Sequence, residues 1–249
     1  MSVVLNVLGS GVVTPSGRGW ECQPSVHETS SHESPACALP ADALSDRAVL
    51  KKLRRADRFS KMAALSGWDA VEDAGMVIEP GYTKLGIIAT TALGPHNTTF
   101  ALLDEILDYG DAGVSPTRFS HSVHNAAAAY VAIMLGSRGP ASTVADFVRP
   151  LYAGCLLASV WLQEGRCQHA LVSYTEELSD PMAYISCAHR AAPALQPLQF
   201  CVNQHVLLSE GSVSMVLSLD QGAEPQLDMD QLLRAHHIAD VQRVIGGAA

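Results

Sequence analysis

The sequence predicts an α/β fold in which helices cover a sheet, and three observations carry that prediction. The first is "KLGIIATTAL" (Lys84–Leu93), a near-continuous apolar run, with "HALVSYTEE" (His169–Glu177) reading as a second buried strand. That is the pattern of strands buried on both faces. Around them, apolar residues recur at helical spacing, as Phe59, Met62, Ala63, Leu65, Ala70, Val71 and Ala74 do in "RFSKMAALSGWDAVEDAG". Glycine and proline mark the changes from one period to the other.

Taken in order, Ser2–Val13 is alternating and β-branched and reads as a strand, with Gly9, Gly11, Pro15 and Gly17 punctuating its end. Arg18–Ala43, rich in Ser, Pro, His and Glu, reads as a long loop. Leu44–Gly75 reads as helical, with Gly75 as its C′ stop. Lys84–Leu93 is a buried strand, Thr98–Tyr109 an amphipathic helix, and Ser115–His124 an irregular loop. Asn125–Leu135 is an Ala-rich helix ended by Gly136. Ala141–Ala145 is a strand, and past a junction near Asp146–Pro150 a helix runs to Gln163. His169–Glu177 is the next strand, and Leu178–Gln199, with Pro181, Pro193 and Pro197, is loop. His205–Asp220 reads as two strands around a Ser209-Glu210-Gly211 turn. An amphipathic helix, "MDQLLRAHHIADVQRVI", follows. The expected division is a domain over residues 1–220 and a helical extension over 221–249, with neither an internal repeat nor a linker.

With 249 residues there is ample chain for a buried core. Hydrophobic residues make up 48% and charged residues 16%, a ratio that suits a subunit with much of its surface covered by other protein. The net charge of −9 argues against nucleic-acid binding. The basic run "KKLRR" (Lys51–Arg55), with Arg58 and Lys61 after it, reads as a solvated helix face, or as a docking patch for an acidic protein. Six scattered cysteines (22, 37, 155, 167, 187 and 201) form no C-x-x-C pair, which speaks against a zinc site and a disulfide scaffold. The start of the chain lacks a signal-peptide pattern, and no apolar run reaches membrane-spanning length, so a cytoplasmic location is expected.

"GPASTVADFVRPLYAGCLLAS" (Gly139–Ser159) is a strand feeding a helix, a junction where backbone N–H groups and the helix dipole favour an anion or an activated nucleophile. Cys155 lies too far inside that helix to gain from its dipole and reads as a small apolar filler. His121 and His124, three apart, could share a helix face and a metal, but no third ligand is near in sequence, and loop or capping roles are the better reading. Glu210 reads as a turn residue rather than a catalytic acid, and the adjacent His236 and His237 point to different faces. There is no P-loop, nucleophile elbow or dinucleotide fingerprint, and neither metal nor cofactor is expected.

Six segments in one order resemble the N-terminal half of the β-ketoacyl synthases, which have the thiolase fold. They are "VLGSGVVTPSG", "DRFSKMAALSGWDAVEDAG", "LGIIATTALG", "SVHNAAAAYVAIMLGSRGPASTV", "EGRCQHALVSYTEE" and "QPLQFCVNQHVLLSEGSVSMVL". Each is weak alone, and the ordered set over roughly residues 3–220 is what carries the resemblance. "FSHSVHNAAAAY" most resembles the short, chain-length-factor-like subunits of aryl-polyene-type pathways. The resemblance implies the first half of a layered α/β/α thiolase-like fold.

In that family the strand–helix junction carries the nucleophilic Cys that takes an acyl chain from acyl carrier protein. Counting from Gly139-Pro140 matches it with Val148, and counting back from Leu151 and Ala153 matches it with Phe147. Neither is Cys, and Val144–Leu151 contains neither Cys nor Ser. The family's two catalytic histidines lie in a second half that has no counterpart in this sequence, and Leu198, Gln199 and Gln204 stand where the family has charged residues.

The resemblance therefore implies a non-catalytic partner of a full-length ketosynthase, a heterodimer or a dimer of such dimers, served by acyl carrier protein. Ala141, Ser142, Thr143, Val144 and Ala145 are the expected interface strand, lying against its mate across a pseudo-twofold axis. The loop Phe119–Asn125, with His121, His124 and Asn125, is expected near the partner's acyl tunnel, and Phe147, Val148 and Tyr152 near its end. Two other readings stay open: an enzyme using Cys155 as a displaced nucleophile, and a carrier-docking module built on Lys51–Lys61.

Overall fold

The computed structural model describes residues 5–15, 17–19, 36–37, 39, 44, 51–180, 208–219, 226–227 and 229–234. Its centre is a six-stranded mixed sheet. The strands are β1 (Asn6–Thr14), β2 (Gly17–Arg18), β4 (Leu85–Thr91), β5 (Ala141–Ala145), β6 (His169–Glu176) and β8 (Gly211–Ser218), in the order β2-β1-β8-β6-β4-β5. β5, β4 and β6 run parallel, while β8 and β1 continue the sheet antiparallel. A second, two-stranded parallel sheet pairs β3 (Ala36–Cys37) with β7 (Leu208–Ser209).

Helices lie on both faces. On one, α1 (Arg58–Asp73) and α4 (Ala126–Leu135) bury Phe59, Met62, Leu65, Val131 and Met134 against Ile87, Leu171 and Val216. On the other, α5 (Pro150–Gln163) and α6 (Met229–Arg234) bury Leu151, Ala158, Trp161 and Leu232 against Ile88, Val172, Met215 and Leu217. The faces alternate along each strand, as the pleat requires. All seven residues of β4 and all eight of β8 are buried. The expected α/β/α layering is therefore present. Leu227 and Leu232, beyond residue 220, join the α5-side core, and the Leu227 N–H donates to the Leu5 carbonyl at 2.8 Å.

The α1 face is made close by small residues. Gly9 and Gly11 lie inside β1, where the sequence reading had them ending the strand. A Cβ on Gly9 would come within 2.3 Å of the Ala74 nitrogen, and one on Gly11 within 2.1 Å of the Ser66 carbonyl oxygen, so α1 rests on the β1 backbone itself. Beside this contact, Ser66 Oγ meets Ser212 Oγ and Ser214 Oγ, each at 2.7 Å, and Ser212 Oγ meets Thr175 Oγ1 at 2.7 Å.

Leu44–Gly75 is not one helix. Lys51 and Lys52 are helical, the chain turns through Leu53–Arg55, and α1 begins afresh at Arg58. The restart has a cause: Asp57 is extended and its carboxylate accepts the Ser60 N–H at 3.2 Å. Leu53 and Ala56, which keep the apolar period, are buried in the turn. The stop is as expected, with Gly75 left-handed at φ +62°. Between β4 and β5 the chain makes an excursion of α2 (His96–Tyr109), a 3₁₀ turn (Asp111–Gly113) and α3 (Pro116–His121). α3 replaces the expected irregular loop, because the Ser115 hydroxyl accepts the Arg118 N–H and Pro116 suits a first helical turn. The long-loop reading of residues 18–43 and the proline-rich reading of 178–199 fall mostly outside the described residues.

Candidate functional site

β4, β5 and β6 are parallel, so their carboxyl ends open at one end of the sheet, the place where open α/β sheets gather their ligands. Three segments meet there: the β4–α2 turn, the β5–α5 junction and the end of β6.

At the junction, the Asp146 N–H donates to the Thr91 carbonyl at 3.1 Å, extending the β4–β5 ladder by one bond. Asp146 Oδ1 then accepts the N–H of Val148 at 2.7 Å and of Arg149 at 3.2 Å. Pro150 opens α5 and has no N–H to offer. Phe147 and Val148, matched by the sequence with the family nucleophile, are 51% and 54% exposed and carry no group that could attack a thioester. Tyr152 is half-buried one turn further on.

Cys155 lies in the core beneath this junction. α5 presses on β4 through Gly154, where a Cβ would come within 2.3 Å of Thr90 Cγ2, and the thiol next to it is wholly buried. Burial pushes its pKa far above the ordinary thiol range, which opposes thiolate formation. This burial weighs against the displaced-nucleophile reading. Cys167 is also buried, and its thiol is likewise pushed up by burial. Cys22, Cys187, Cys201 and the Cys37 side chain lie outside the described residues.

Two consecutive carboxylates hold the β4–α2 turn. Glu176 accepts the Ala92 N–H, the Leu93 N–H at 3.4 Å and the Thr91 hydroxyl at 3.1 Å. Glu177 accepts the Asn97 N–H at 2.8 Å, while the Asn97 side-chain amide donates to the Leu178 carbonyl at 2.7 Å. Burial pushes both carboxyls up to about 7, against the lowering effect of their donors. Gly94 is left-handed at φ +73°, and a Cβ there would come within 2.5 Å of the His124 ring. His96 is buried with Nδ1 2.9 Å from the Gly94 carbonyl, and burial lowers its pKa.

The two expected loop histidines are separated by these contacts. His121 Nε2 lies 2.6 Å from the Tyr130 hydroxyl, whereas His124 is exposed over Gly94. Asn125 stands at the N-cap of α4 without a side-chain cap bond. Phe119 is 62% exposed on α3. Further apolar residues are exposed on α2 (Phe100, Leu103, Ile106 and Leu107) and on α5 (Leu156 and Val160).

β5 is the outer edge of the described sheet. The Ile87 N–H donates to the Pro140 carbonyl and the Asp146 N–H to that of Thr91. In a parallel ladder that parity turns Ser142 and Val144 toward β4, and turns the backbone N–H and C=O groups of Ala141, Thr143 and Ala145 outward. Ala141 and Ala145 are exposed, and Ser142, Thr143 and Val144 are half-buried.

Glu210 is not a turn residue. Gly211 opens β8 directly, and Glu210, 2% exposed, passes from the small sheet to the large one. Its carboxylate pairs with both arms of the Arg58 guanidinium and accepts the N–H groups of Leu39 at 2.5 Å and Leu178 at 3.3 Å. Arg58 thus leaves the basic patch, and the Glu210 pairing holds its pKa above the ordinary value. Lys51, Lys52, Arg54 and Arg55 remain exposed, with Lys52 Nζ 3.2 Å from the Met134 carbonyl. Sequence reasoning missed Asp146, the Glu176–Glu177 clamp and the Arg58–Glu210 pair. For Asp146 there was a signal, an Asp shortly before a Pro that begins a helix.

A shallow depression of about 380 Å³ between β1 and the end of α1 is lined by Ser10, Arg18, Asp69, Glu72 and Asp73, and by none of the junction residues. Among the described residues no helix is long and apolar enough to cross a membrane, and no group of three or more His, Cys, Asp or Glu residues is placed to hold a metal.

A mixed sheet between helical layers, with a strand-to-helix junction at its parallel end, defines a thiolase-like α/β protein. The β-ketoacyl synthase N-terminal domain matches residues 20–243, and the chain belongs to that family. A 3-oxoacyl-[acyl-carrier-protein] synthase 2 of Synechocystis sp. is 26% identical over 143 residues, which are 57% of this chain and 34% of that protein. The structure titled as AntDE:AntF, a type II PKS acyl-carrier protein in complex with its ketosynthase, matches with a TM-score of 0.70 and 16% identity, over 88% of this chain and 63% of that one. A ketosynthase (ApeO) in complex with its chain length factor (ApeC) from Xenorhabdus doucetiae matches with a TM-score of 0.61 and 15% identity, over 89% and 81%. At such identities the structural likenesses show the fold. The chain spans about a third of the curated relative.

Proposed function

We propose that this chain is a non-catalytic, chain-length-factor-like ketosynthase subunit that pairs with an active β-ketoacyl synthase and shapes its acyl tunnel. The work proposed is type II polyketide or fatty-acid-like biosynthesis, of the aryl polyene type. The observation that carries the reading is the junction itself: Phe147 and Val148, which the sequence match puts at the nucleophile's position, are exposed and carry no thiol, and Cys155 is buried in the core. The C-terminal-half histidines of the family are taken to come from the partner. Residues 1–220 would be the ketosynthase-like domain and 221–249 an extension, with α6 closing the α5 side. We place the pair in the cytoplasm, the location expected from the sequence.

The β5 edge supports the pairing. An outward ladder at Ala141, Thr143 and Ala145 can accept an antiparallel strand, and unpaired edges are a recurrent docking template. Exposed Phe119 on α3, with His121, His124 and Asn125 beyond it, would face the partner's tunnel, and Phe147, Val148 and Tyr152 would limit it. A methylene-scale change there is worth ~1–3 kcal/mol, enough to bias product length. Exposed Lys51, Lys52, Arg54 and Arg55 would meet the acidic acyl carrier protein.

Co-expression with a full-length ketosynthase tests the reading. Affinity capture of either chain should bring down the other, with a native mass of a one-to-one heterodimer or of two such pairs. A stable monomer that ignores the ketosynthase overturns it.

A further inference from the structure

We propose that Asp146 is a resident anion at the β5–α5 junction. Its carboxylate occupies backbone N–H donors that a strand-to-helix turn holds out to a thiolate or an acyl oxygen. The two junction donors nearest the position matched with the nucleophile are then taken by an acceptor already in place, in addition to the missing thiol. The inference rests on the non-catalytic reading above and deepens it.

The donor accounting is short. Val148 and Arg149 give their N–H groups to one oxygen, Oδ1, at 2.7 and 3.2 Å, and Pro150 has none to give. From Val148 to Pro150, therefore, every backbone donor is spent or absent. The carboxylate is also held in place, because the Asp146 N–H is the last rung of the β4–β5 ladder, 3.1 Å from the Thr91 carbonyl. A bound acyl oxygen or thiolate would have to displace a tethered anion and tolerate its charge within a few ångströms. A simple helix cap explains part of this arrangement, since a carboxylate near a helix N-terminus is favourable. Beyond its effect on stability, the same carboxylate governs what a thiol placed at the junction can do, through its charge and through the donors it holds.

That effect is measurable in the full chain. Val148→Cys places a thiol at the junction, and its alkylation by iodoacetamide across pH is followed at peptide level by mass spectrometry. With Asp146 present, the midpoint is expected above the ordinary thiol value of about 8.5. Adding D146N, which keeps an acceptor and removes the charge, should lower the midpoint. Adding D146A, which frees both N–H groups, should lower it further, with at least tenfold faster alkylation at pH 7 than V148C alone. Equal midpoints in the three backgrounds overturn the proposal. Thermal unfolding of each variant checks the fold, and if D146A unfolds, the D146N comparison decides. Copurification with a ketosynthase is read separately, so the resident anion can fail while the non-catalytic reading stands.

Discussion

The Arg58 guanidinium grips the buried Glu210 carboxylate through two of its nitrogens and at the same time donates to the Leu39 carbonyl at 2.8 Å. One side chain at the first turn of α1 thereby secures the step from β7 into β8 and the strand of chain at Leu39. Arg58→Ala would leave the Glu210 carboxyl buried and short of two donors. Removing one member of a buried pair costs roughly 3–5 kcal/mol, and the partial exposure of Arg58 reduces this to about 2–3 kcal/mol. Urea unfolding should show the loss as a lower midpoint. A midpoint within error of the wild type would mean that water replaces the guanidinium.

Two glycines of the α1–sheet contact should behave in opposite ways. Gly9→Ala drives a methyl into the backbone of Ala74 and should cost ~3 kcal/mol or more, because neither β1 nor α1 can retreat without parting from the sheet. At Gly67, in the middle of α1, the nearest atom to an added Cβ is a Leu171 methyl at 3.2 Å, which can give. Gly67→Ala should fall within about 1 kcal/mol of the wild type, helped by the better helix propensity of alanine. Equal costs at the two positions would refute the backbone-contact account of β1.

Glu176 and Glu177 make stability depend on pH in a defined direction. Their folded pKa values, about 7, lie above the ordinary carboxyl value, so the folded state binds protons more tightly than the unfolded chain. The stability they contribute is whole below about 4.5 and is lost as the pH rises through 7. Glu177→Gln keeps an acceptor for the Asn97 N–H and cannot ionise. The difference between variant and wild-type stability should therefore grow in favour of the variant from pH 5 to pH 8, reaching roughly 1–3 kcal/mol. Parallel curves would show that Glu177 titrates normally.

At the sheet edge, proline distinguishes docking from folding. The Thr143 N–H points away from β4, so Thr143→Pro removes no bond among the described residues and should leave thermal stability nearly unchanged while abolishing capture of a ketosynthase. The Val144 N–H points into the ladder, so Val144→Pro should unfold the edge. Capture that survives Thr143→Pro would remove β5 from the proposed interface.

Leu85–Thr91 was legible as a strand because burial on both faces left a near-continuous apolar run, and His169–Glu176 was legible from its apolar stretch Ala170–Val172. Gly75 and Gly136 marked helix ends because a left-handed residue is a local requirement. The break before Arg58 escaped notice because Leu53 and Ala56 keep the apolar period through the turn. The six-residue α3 is too short to establish a period. Glu210 looked like a turn residue since its partners, Arg58 and Leu39, are remote in sequence. The same distance hid the clamp of Glu176 and Glu177 on the β4–α2 turn. Phe147 and Val148 could be placed at the junction from sequence, but the carboxylate beside them acts through geometry that only the folded backbone supplies.

The hydroxyls between α1 and the sheet have a consequence for alignment. A purely apolar seam would let a helix shift along a strand at modest cost, since dispersion contacts are nearly isotropic. Ser66 instead sits between Ser212 and Ser214, with Ala63 and Ala70 one turn to either side of it on α1. Sliding the helix by a turn would bring an alanine to the serine pair and take the Ser66 partner from the buried Ser214 hydroxyl, while Ser212 would keep only Thr175. The serines index the helix against the sheet as a key does in its slot, which fixes where the N-terminus of α1, and with it Arg58, arrives.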